Sequence, residues 1–184
     1  MEITVGGTRL RIVEGDIAEQ DTEAVVTAAH WDLRGGQGTD GSIHHKAGSE
    51  LLAACAEIGG CPIGGAVITP GFNLRARYVI HAVGPVYETG DEYEQELLAS
   101  AYERGLTVAA EHGLRTIAFP SISTGAFNYP MRQAAPIALR AVVTFLRQQP
   151  DAFDEVRLVM YPREQTAALG IYEHALSDLL TVAP

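Results

Sequence analysis

A glycine-rich segment at residues 35–44 contains residue types suited to binding an anion. Gly35, Gly36 and Gly38 provide bare backbone that a ligand can approach closely, and Asp40 stands where a helix is expected to begin. The first backbone amides of a helix have no hydrogen-bond partner within that helix. Together these features predict a binding site for phosphate oxygens or another anion.

A second segment of similar character follows an apolar run at residues 116–119. Its hydroxyls and backbone amides could form an anion-binding nest, and its aromatic ring could form a flat wall against a sugar. The residues concerned are Ser121, Ser123, Thr124, Gly125, Ala126 and Phe127. Clusters of Ser, Thr and Gly are also common in ordinary loops, and Phe127 could belong to the core. Two such loops on one sheet suggest a nucleotide diphosphate held between them.

The overall composition is that of an ordinary globular protein and argues against several classes of partner. The chain has 184 residues, 47% of them hydrophobic and 20% charged, with a formal net charge of −10. A surface of that sign repels a nucleic-acid backbone, so no nucleic-acid partner is expected. Cys55 and Cys61 form no metal-binding motif, and we expect a reduced, cytoplasmic location. No leader or apolar membrane span is recognisable, so no membrane association is expected either.

Apolar runs alternate with stretches of helical periodicity along the chain. Strands are predicted at residues 3–5, 10–13, 24–26, 66–69, 78–83, 116–119 and 156–160. Helices are predicted at residues 41–58, around 98–108, from near Pro130, and at about 163–180. This alternation indicates an α/β fold whose mostly parallel sheet is covered on both faces. Ligands of such sheets bind beyond the carboxyl ends of the strands, so candidate loops follow Val26, Val83, Phe119 and Met160.

Taken in order, the motifs resemble those of the macrodomain family, which binds ADP-ribose, and in particular its MacroD-type hydrolase branch. The resemblance covers residues 13–180 and includes Gly15-Asp16-Ile17 and the segments 26–30, 35–48, 79–85 and 121–130. It implies a single domain over residues 1–184, with a three-layer α/β/α macrodomain fold and a mixed, mostly parallel central sheet. It implies ADP-ribose or an ADP-ribosylated protein as the partner and no cofactor. No histidines have the spacing of zinc ligands, so no catalytic metal is expected.

The resemblance also implies roles for individual residues. Asp16, followed by Ile17, would accept the adenine amino group; the alternative is that Asp16 caps a short helix, and the two roles are compatible. Gly35, Gly36, Gly38 and Thr39 of the first loop would contact the diphosphate and the distal ribose. Residues 121–127 of the second loop would contact the same parts of the ligand. Tyr161 would stack on adenine, or be an ordinary tyrosine at a strand end. Asn128 stands where the family commonly has glycine, and Asn tolerates a left-handed backbone.

Catalysis in the hydrolase branch is tied to the position of Asp40. An Asp just before a helix is also a preferred N-cap, and a carboxylate that accepts helix amides has a lowered pKa, so we expect Asp40 to orient a water and the distal ribose hydroxyls. The chain departs from the usual Asn-Ala-Ala-Asn motif at Thr27 and His30. Thr27 would offer ADP-ribose a smaller hydroxyl. His30 could act on the distal ribose or pack beneath the loop, and we take it as a second catalytic candidate.

Three functions remain open on the sequence. The first is a metal-independent hydrolase of ADP-ribosyl esters, either on aspartate and glutamate side chains or on O-acetyl-ADP-ribose. The second is a non-catalytic reader of ADP-ribose, which the changes at Thr27 and His30 favour. The third is another nucleotide-handling α/β enzyme, but neither a Walker motif nor a dinucleotide-binding glycine motif is present. A monomer is expected.

Overall fold

The computed structural model describes residues 1–162 and 167–182. Its strands are β1 (Glu2–Val5), β2 (Thr8–Glu14), β3 (Ala24–Ala28), β4 (Ala66–Pro70), β5 (Tyr78–Ala82), β6 (Thr116–Phe119) and β7 (Glu155–Met160). Its α-helices are α1 (Gly38–Ala47), α2 (Ser49–Ile58), α3 (Glu92–Glu111), α4 (Met131–Gln148) and α5 (Ala168–Val182). A 3-10 helix, Ile17–Glu19, lies between β2 and β3.

The strands form one mixed sheet in the order β1-β2-β7-β6-β3-β5-β4. β2, β7, β6, β3 and β5 are mutually parallel, while β1 and β4 are antiparallel edge strands. The predicted mixed, mostly parallel sheet is therefore confirmed. Because the five parallel strands run in one direction, the loops that follow them meet at a single edge of the sheet.

Helices cover both faces of the sheet and complete the predicted three-layer α/β/α architecture. One core cluster joins α3, α4 and α5 to one face, and a second joins α1, α2 and the 3-10 helix to the other. Gly105 shows how closely α3 packs, because a Cβ at this position would lie 2.9 Å from the ring of Phe119 on β6. No helix among the described residues is long and apolar enough to cross a lipid bilayer.

The helix predicted at residues 41–58 is two helices, and it begins earlier than expected. Gly48 separates α1 from α2 with a φ of 92°, a conformation that L side chains rarely adopt. Apolar periodicity continues across this glycine, which is why the sequence pattern concealed the break. α1 starts at Gly38, so Thr39 and Asp40 lie in its first turn. The predicted start near Pro130 is confirmed, and part of the region predicted to begin α5 lies outside the described residues.

Candidate functional site

A cavity of about 290 Å³ opens at the edge where the parallel strands end. Of the residues predicted to bind a ligand, it is lined by Asp16, Ile17, Gly38, Thr39, Ser121, Thr124, Gly125 and Tyr161. The sequence did not single out the other lining residues, which are Gly15, Ser42, Pro120, Met131, Val159, Met160 and Ala168. The lining does not include the predicted residues Thr27, His30, Gly35, Gly36, Asp40, Ser123, Ala126 and Phe127. The predicted loops therefore do meet at one cleft, but only about half of the predicted residues border its main volume.

Two sets of backbone amides without partners belong to the loops that border this cavity. Gly38, Thr39 and Asp40 are the first three residues of α1, whose amides have no intrahelical acceptor. On the second loop, no hydrogen bond to a described residue uses the amides of residues 124–127. Unpaired amides at a helix N-terminus and in a turn attract anions. The cleft is thus equipped to hold a diphosphate between two sets of N–H groups, although the net charge of the chain is −10.

The hydroxyls of the second loop have contacts within the protein that the sequence did not indicate. Ser121 Oγ lies 2.8 Å from the Tyr172 hydroxyl, and Thr124 Oγ1 donates to the Ser121 carbonyl at 2.9 Å. Ser123 is buried and faces Gly84, since a Cβ on that glycine would lie 2.2 Å from Ser123 Oγ. Phosphate binding by these three hydroxyls therefore stays a prediction, and a phosphate would compete with the bonds that Ser121 and Thr124 make within the protein.

The turn of the second loop depends on two residues with left-handed backbone. Ser123 has φ 67° and Asn128 has φ 57°, which confirms that Asn supports this turn where the family commonly has glycine. The Tyr87 amide donates to the Phe127 carbonyl at 2.9 Å. The loop after β5, predicted to be a candidate ligand loop, therefore supports the second loop and does not line the cavity.

Tyr102 of α3 fixes the start of the second loop from below. Its hydroxyl donates to the Pro120 carbonyl at 3.1 Å and accepts the Ile122 amide at 2.9 Å. Tyr102 is fully buried, so both bonds lie inside the core. Sequence reasoning missed this residue, because its periodicity marks it as core and nothing in the sequence indicates which backbone its hydroxyl reaches.

Asp16 caps the 3-10 helix, which confirms one of the two roles expected for it. Its Oδ1 accepts the Ala18 amide at 2.9 Å, and its Oδ2 lies 2.9 Å from Lys46 Nζ. Lys46 also binds Glu19, and these two acidic partners raise its pKa. The sequence did not indicate Lys46, which α1 brings to Asp16 from 30 positions away. A ligand at Asp16 would meet a carboxylate that is already held in place.

Asp40 is not the helix N-cap, which corrects the expectation from the sequence. The cap residue of α1 is Gln37, and Asp40 lies inside the first turn with only 5% of its surface exposed. Its Oδ1 accepts the hydroxyl of Thr27 at 2.8 Å. Burial raises the pKa of Asp40, and Thr27 and His44 offset part of this rise. The predicted lowering of the pKa is therefore wrong, because desolvation outweighs the hydrogen bond.

Thr27 contributes to the site by a hydrogen bond to Asp40. It is fully buried near the end of β3, and its hydroxyl donates to the carboxylate. A direct contact between Thr27 and a ligand, as predicted, does not fit this arrangement. The small side chain of Thr27 instead leaves room for the side chain of Asp40 on α1 to approach β3.

His30, Gly36 and Phe127 do not line the main cavity, but Gly36 and His30 lie near Asp40, and Phe127 lies beside His30. A Cβ on Gly36 would lie 3.4 Å from Asp40 Oδ2. Because glycine has no side chain, the backbone of Gly36 can lie close to this carboxylate oxygen. The His30 ring stands edge-on to Phe127 with their centroids 6.2 Å apart, and it also contacts the exposed Trp31. His30 Nδ1 lies 2.8 Å from Asp32 Oδ1, a partner that the sequence reading did not consider. His30 is thus partly exposed at the rim and does not pack beneath the loop.

Three residues with metal-binding side chains meet beneath α1. One ligand atom from each of His44, Cys55 and His81 lies within 4.8 Å of the others. Burial lowers the pKa of His81 to about 3 and raises that of Cys55 to about 11, so both are neutral near pH 7. His81 Nε2 lies 2.9 Å from Thr69 Oγ1. His81 and Cys55 are therefore neutral residues of the core, and the absence of a catalytic metal stays a prediction. Both cysteines are free and buried, as expected.

The fold and the cleft define a three-layer α/β protein with a site for an anionic ligand at the carboxyl ends of its parallel strands. The Macro domain family profile matches residues 26–138. A macro domain-containing protein of Methanosarcina mazei is 44% identical over 180 residues, which cover 98% of this chain and 93% of that protein. The chain belongs to the macrodomain family.

Solved structures of this family superpose closely on the chain. A point mutant of the Oceanobacillus iheyensis macrodomain with ADPR has a TM-score of 0.92 and 38% identity, covering 98% of each chain. The Trypanosoma brucei macrodomain in complex with ADP-ribose has a TM-score of 0.83 and 35% identity, covering 91% of this chain and 68% of its own. The expected macrodomain fold is confirmed.

Proposed function

We propose that this chain binds ADP-ribose in the cleft and hydrolyses ADP-ribosyl esters, on protein aspartate or glutamate side chains or in O-acetyl-ADP-ribose. The observation that carries the proposal is a pair of unpaired amide sets, residues 38–40 and 124–127, of which Gly38, Thr39, Thr124 and Gly125 line one cavity. Two macrodomains similar to this chain were solved with the same ligand. A small acidic protein of this kind would work in a reducing, cytoplasmic setting, and no metal is needed for the chemistry.

The cleft offers a place for each part of ADP-ribose. Adenine would lie near Asp16 and Ile17, with Tyr161 as a stacking partner. Tyr161 is 58% exposed, so its ring is available, and stacking on a base contributes about 1–3 kcal/mol. The diphosphate would take the two amide sets. The distal ribose would then extend toward Asp40, His30 and Phe127.

Asp40 is suited to hold the reacting end of the ligand. Thr27 occupies one carboxylate oxygen, while the other lies beneath Gly36. Burial raises the pKa of Asp40, which makes its carboxylate a stronger proton acceptor than an exposed one. In our proposal Asp40 accepts a hydrogen bond from a distal ribose hydroxyl and orients the attacking water. Holding the ester and the water together can contribute a large part of the acceleration.

Two measurements test the proposal in sequence. Calorimetry should show that ADP-ribose binds and that ATP and NAD bind much more weakly. If ADP-ribose produces neither heat nor a thermal shift, the assignment of the cleft is wrong. In a hydrolysis assay, Asp40→Ala should lower turnover by about 10²–10⁴-fold while ADP-ribose still binds. Full activity in this variant would remove Asp40 from the mechanism.

A non-catalytic reader is the second candidate, and His30 favours it. An imidazole is bulkier than the usual Asn, and Asp32 holds this one beside Phe127 at the distal end. A single-turnover assay on an aspartate- or glutamate-modified protein distinguishes the two functions. Micromolar binding of ADP-ribose without release of the modification would identify a reader.

A further inference from the structure

The side chains of His30 and Asp32 form a pair at the rim of the cleft. The two residues follow β3 on the first loop, and His30 Nδ1 lies 2.8 Å from Asp32 Oδ1. The same carboxylate oxygen accepts the Arg34 amide at 3.2 Å, which fixes its position on the loop. The pair is therefore built into the loop that leads from β3 to Asp40.

This geometry selects one tautomer of His30. A carboxylate only accepts hydrogen bonds, so the proton of the neutral ring must be on Nδ1. The Asp32 amide lies 3.5 Å from the same nitrogen, which is beyond a normal N–H···N distance. Nε2 is then left without a proton and can accept one. The bond from Asp32 also stabilises the charged ring that forms once Nε2 has accepted a proton.

The position of the ring relates this pair to Asp40. His30 lies between the exposed Trp31 and Phe127 of the second loop. His30 and Asp32 both act electrostatically on the buried Asp40, His30 lowering and Asp32 raising its pKa. His30 is 43% exposed at its side chain, so the ring is reachable from solvent. The pair thus lies near Asp40, toward which the distal ribose extends in the proposed function.

We propose that Asp32 positions His30 as the general base of ester hydrolysis, a role that a family member with Asn at this place could not fill. The inference rests on the proposed hydrolase function. Nε2 of His30 takes a proton from water as the water oxygen bonds to the acyl carbon of the ester. The bond between the acyl carbon and the ribose oxygen then breaks, and that oxygen takes the proton from Nε2. The products are a carboxylic acid and a free ribose hydroxyl, and His30 is neutral again.

The charges around His30 determine how its function depends on pH. Those recorded near the ring are Asp32, Arg34 and Asp40, and Arg34 Nε lies 3.9 Å from Asp32 Oδ2. Phe127 contributes an uncharged ring from the second loop. His30 acts as a base only when neutral, so turnover should fall as acid protonates it. Removing the negative charge of Asp32 should make His30 harder to protonate and move that fall to lower pH.

The test compares Asp32→Asn with Asp178→Asn across the pH range. Asp178 lies 3.5 Å from His174 on α5, far along the chain from the first loop, and both side chains are exposed, so it is a matched histidine–aspartate pair. We expect Asp32→Asn to lower kcat by about 10- to 100-fold, part of the 10²–10⁴-fold effect of a general base, and to shift the acidic limb of the profile to lower pH. The Kd for ADP-ribose should stay within about twofold, and Asp178→Asn should match the wild type. A purely structural role would lower activity equally at every pH and weaken binding.

Failure of this inference is distinguishable from failure of the proposed function. If the wild type binds ADP-ribose but releases no acyl group, hydrolysis itself is excluded. If the wild type is active and Asp32→Asn keeps its rate and its profile, Asp32 does not position a base. A second measurement does not need activity: nitrogen chemical shifts of His30 should show the Nδ1–H tautomer in the wild type. Observation of the Nε2–H tautomer would overturn the assignment.

Discussion

Replacing Tyr102 with Phe removes one oxygen atom that holds the second loop in place. That oxygen bonds to the Pro120 carbonyl and to the Ile122 amide, at the point where β6 leads into the loop. Tyr102 is fully buried, so neither group can turn to bulk water when the hydroxyl is lost. Because Tyr102 does not line the cavity, any effect on ligand binding must pass through the loop.

The size of the effect follows from the two bonds that are lost. Leaving a buried donor or acceptor without a partner costs about 1–3 kcal/mol. Two such groups, with some relaxation of the loop, give a destabilisation of about 2–4 kcal/mol. For a domain of this size 1 kcal/mol corresponds to about 2–4 °C, so Tm should fall by about 5–15 °C. If a third of that energy reaches the amides of residues 124–127, binding of ADP-ribose weakens about 3- to 10-fold.

Chemical denaturation and calorimetry measure the two effects separately, and the helix itself offers a control. Tyr93 lies on the same helix but is 67% exposed, so Tyr93→Phe should change stability by less than about 0.5 kcal/mol and leave binding unchanged. Tyr102→Phe with unchanged stability would refute the two buried bonds. A loss of stability with unchanged affinity would show that the loop does not depend on this anchor.

Two further substitutions examine the first loop. Gly41→Ala would place a methyl group 2.5 Å from the Gly36 carbonyl oxygen, so the loop must shift; we expect a lower Tm and weaker binding of ADP-ribose. Gly170→Ala on α5 meets no atom of the described residues within 4 Å and is the control, since it should leave Tm equal or raise it. Burial raises the pKa of Asp40 in the folded protein. The protonated carboxyl therefore contributes stability in acid, and this contribution is lost as the pH rises through the pKa of the folded state. Asp40→Asn removes the carboxyl and with it this pH dependence. The Asn variant should therefore gain stability relative to the wild type as pH rises from 4 to 8, and a gain that is the same at every pH in denaturant titrations would contradict the raised pKa.

The elements of the fold followed closely from local pattern. The runs at residues 24–26 and 116–119 have no polar residue in their interior, and a strand buried on both faces needs such a run. Gly38 could be assigned to the cleft because glycine at a helix start leaves backbone amides open to a ligand, whereas Asp16 was assigned to it through the family resemblance. The break at Gly48 was not predicted, because the apolar periodicity continues on both sides of this residue. The positive φ of Gly48 separates α1 from α2.

The state of the site depended on contacts between distant segments. Asp40 was read as a helix cap with a lowered pKa, yet its pKa is raised, because β3 and α1 enclose it and desolvation dominates its electrostatics. The hydroxyls of the second loop were predicted to bind phosphate. In the structure Ser121 is hydrogen-bonded to Tyr172, and Ser123 is buried against Gly84. Local sequence determined where the chain turns, starts helices and exposes backbone amides. Tertiary structure alone determined which polar atoms remain free for a ligand and which protonation state they prefer, because burial and pairing depend on residues that lie far apart in the chain.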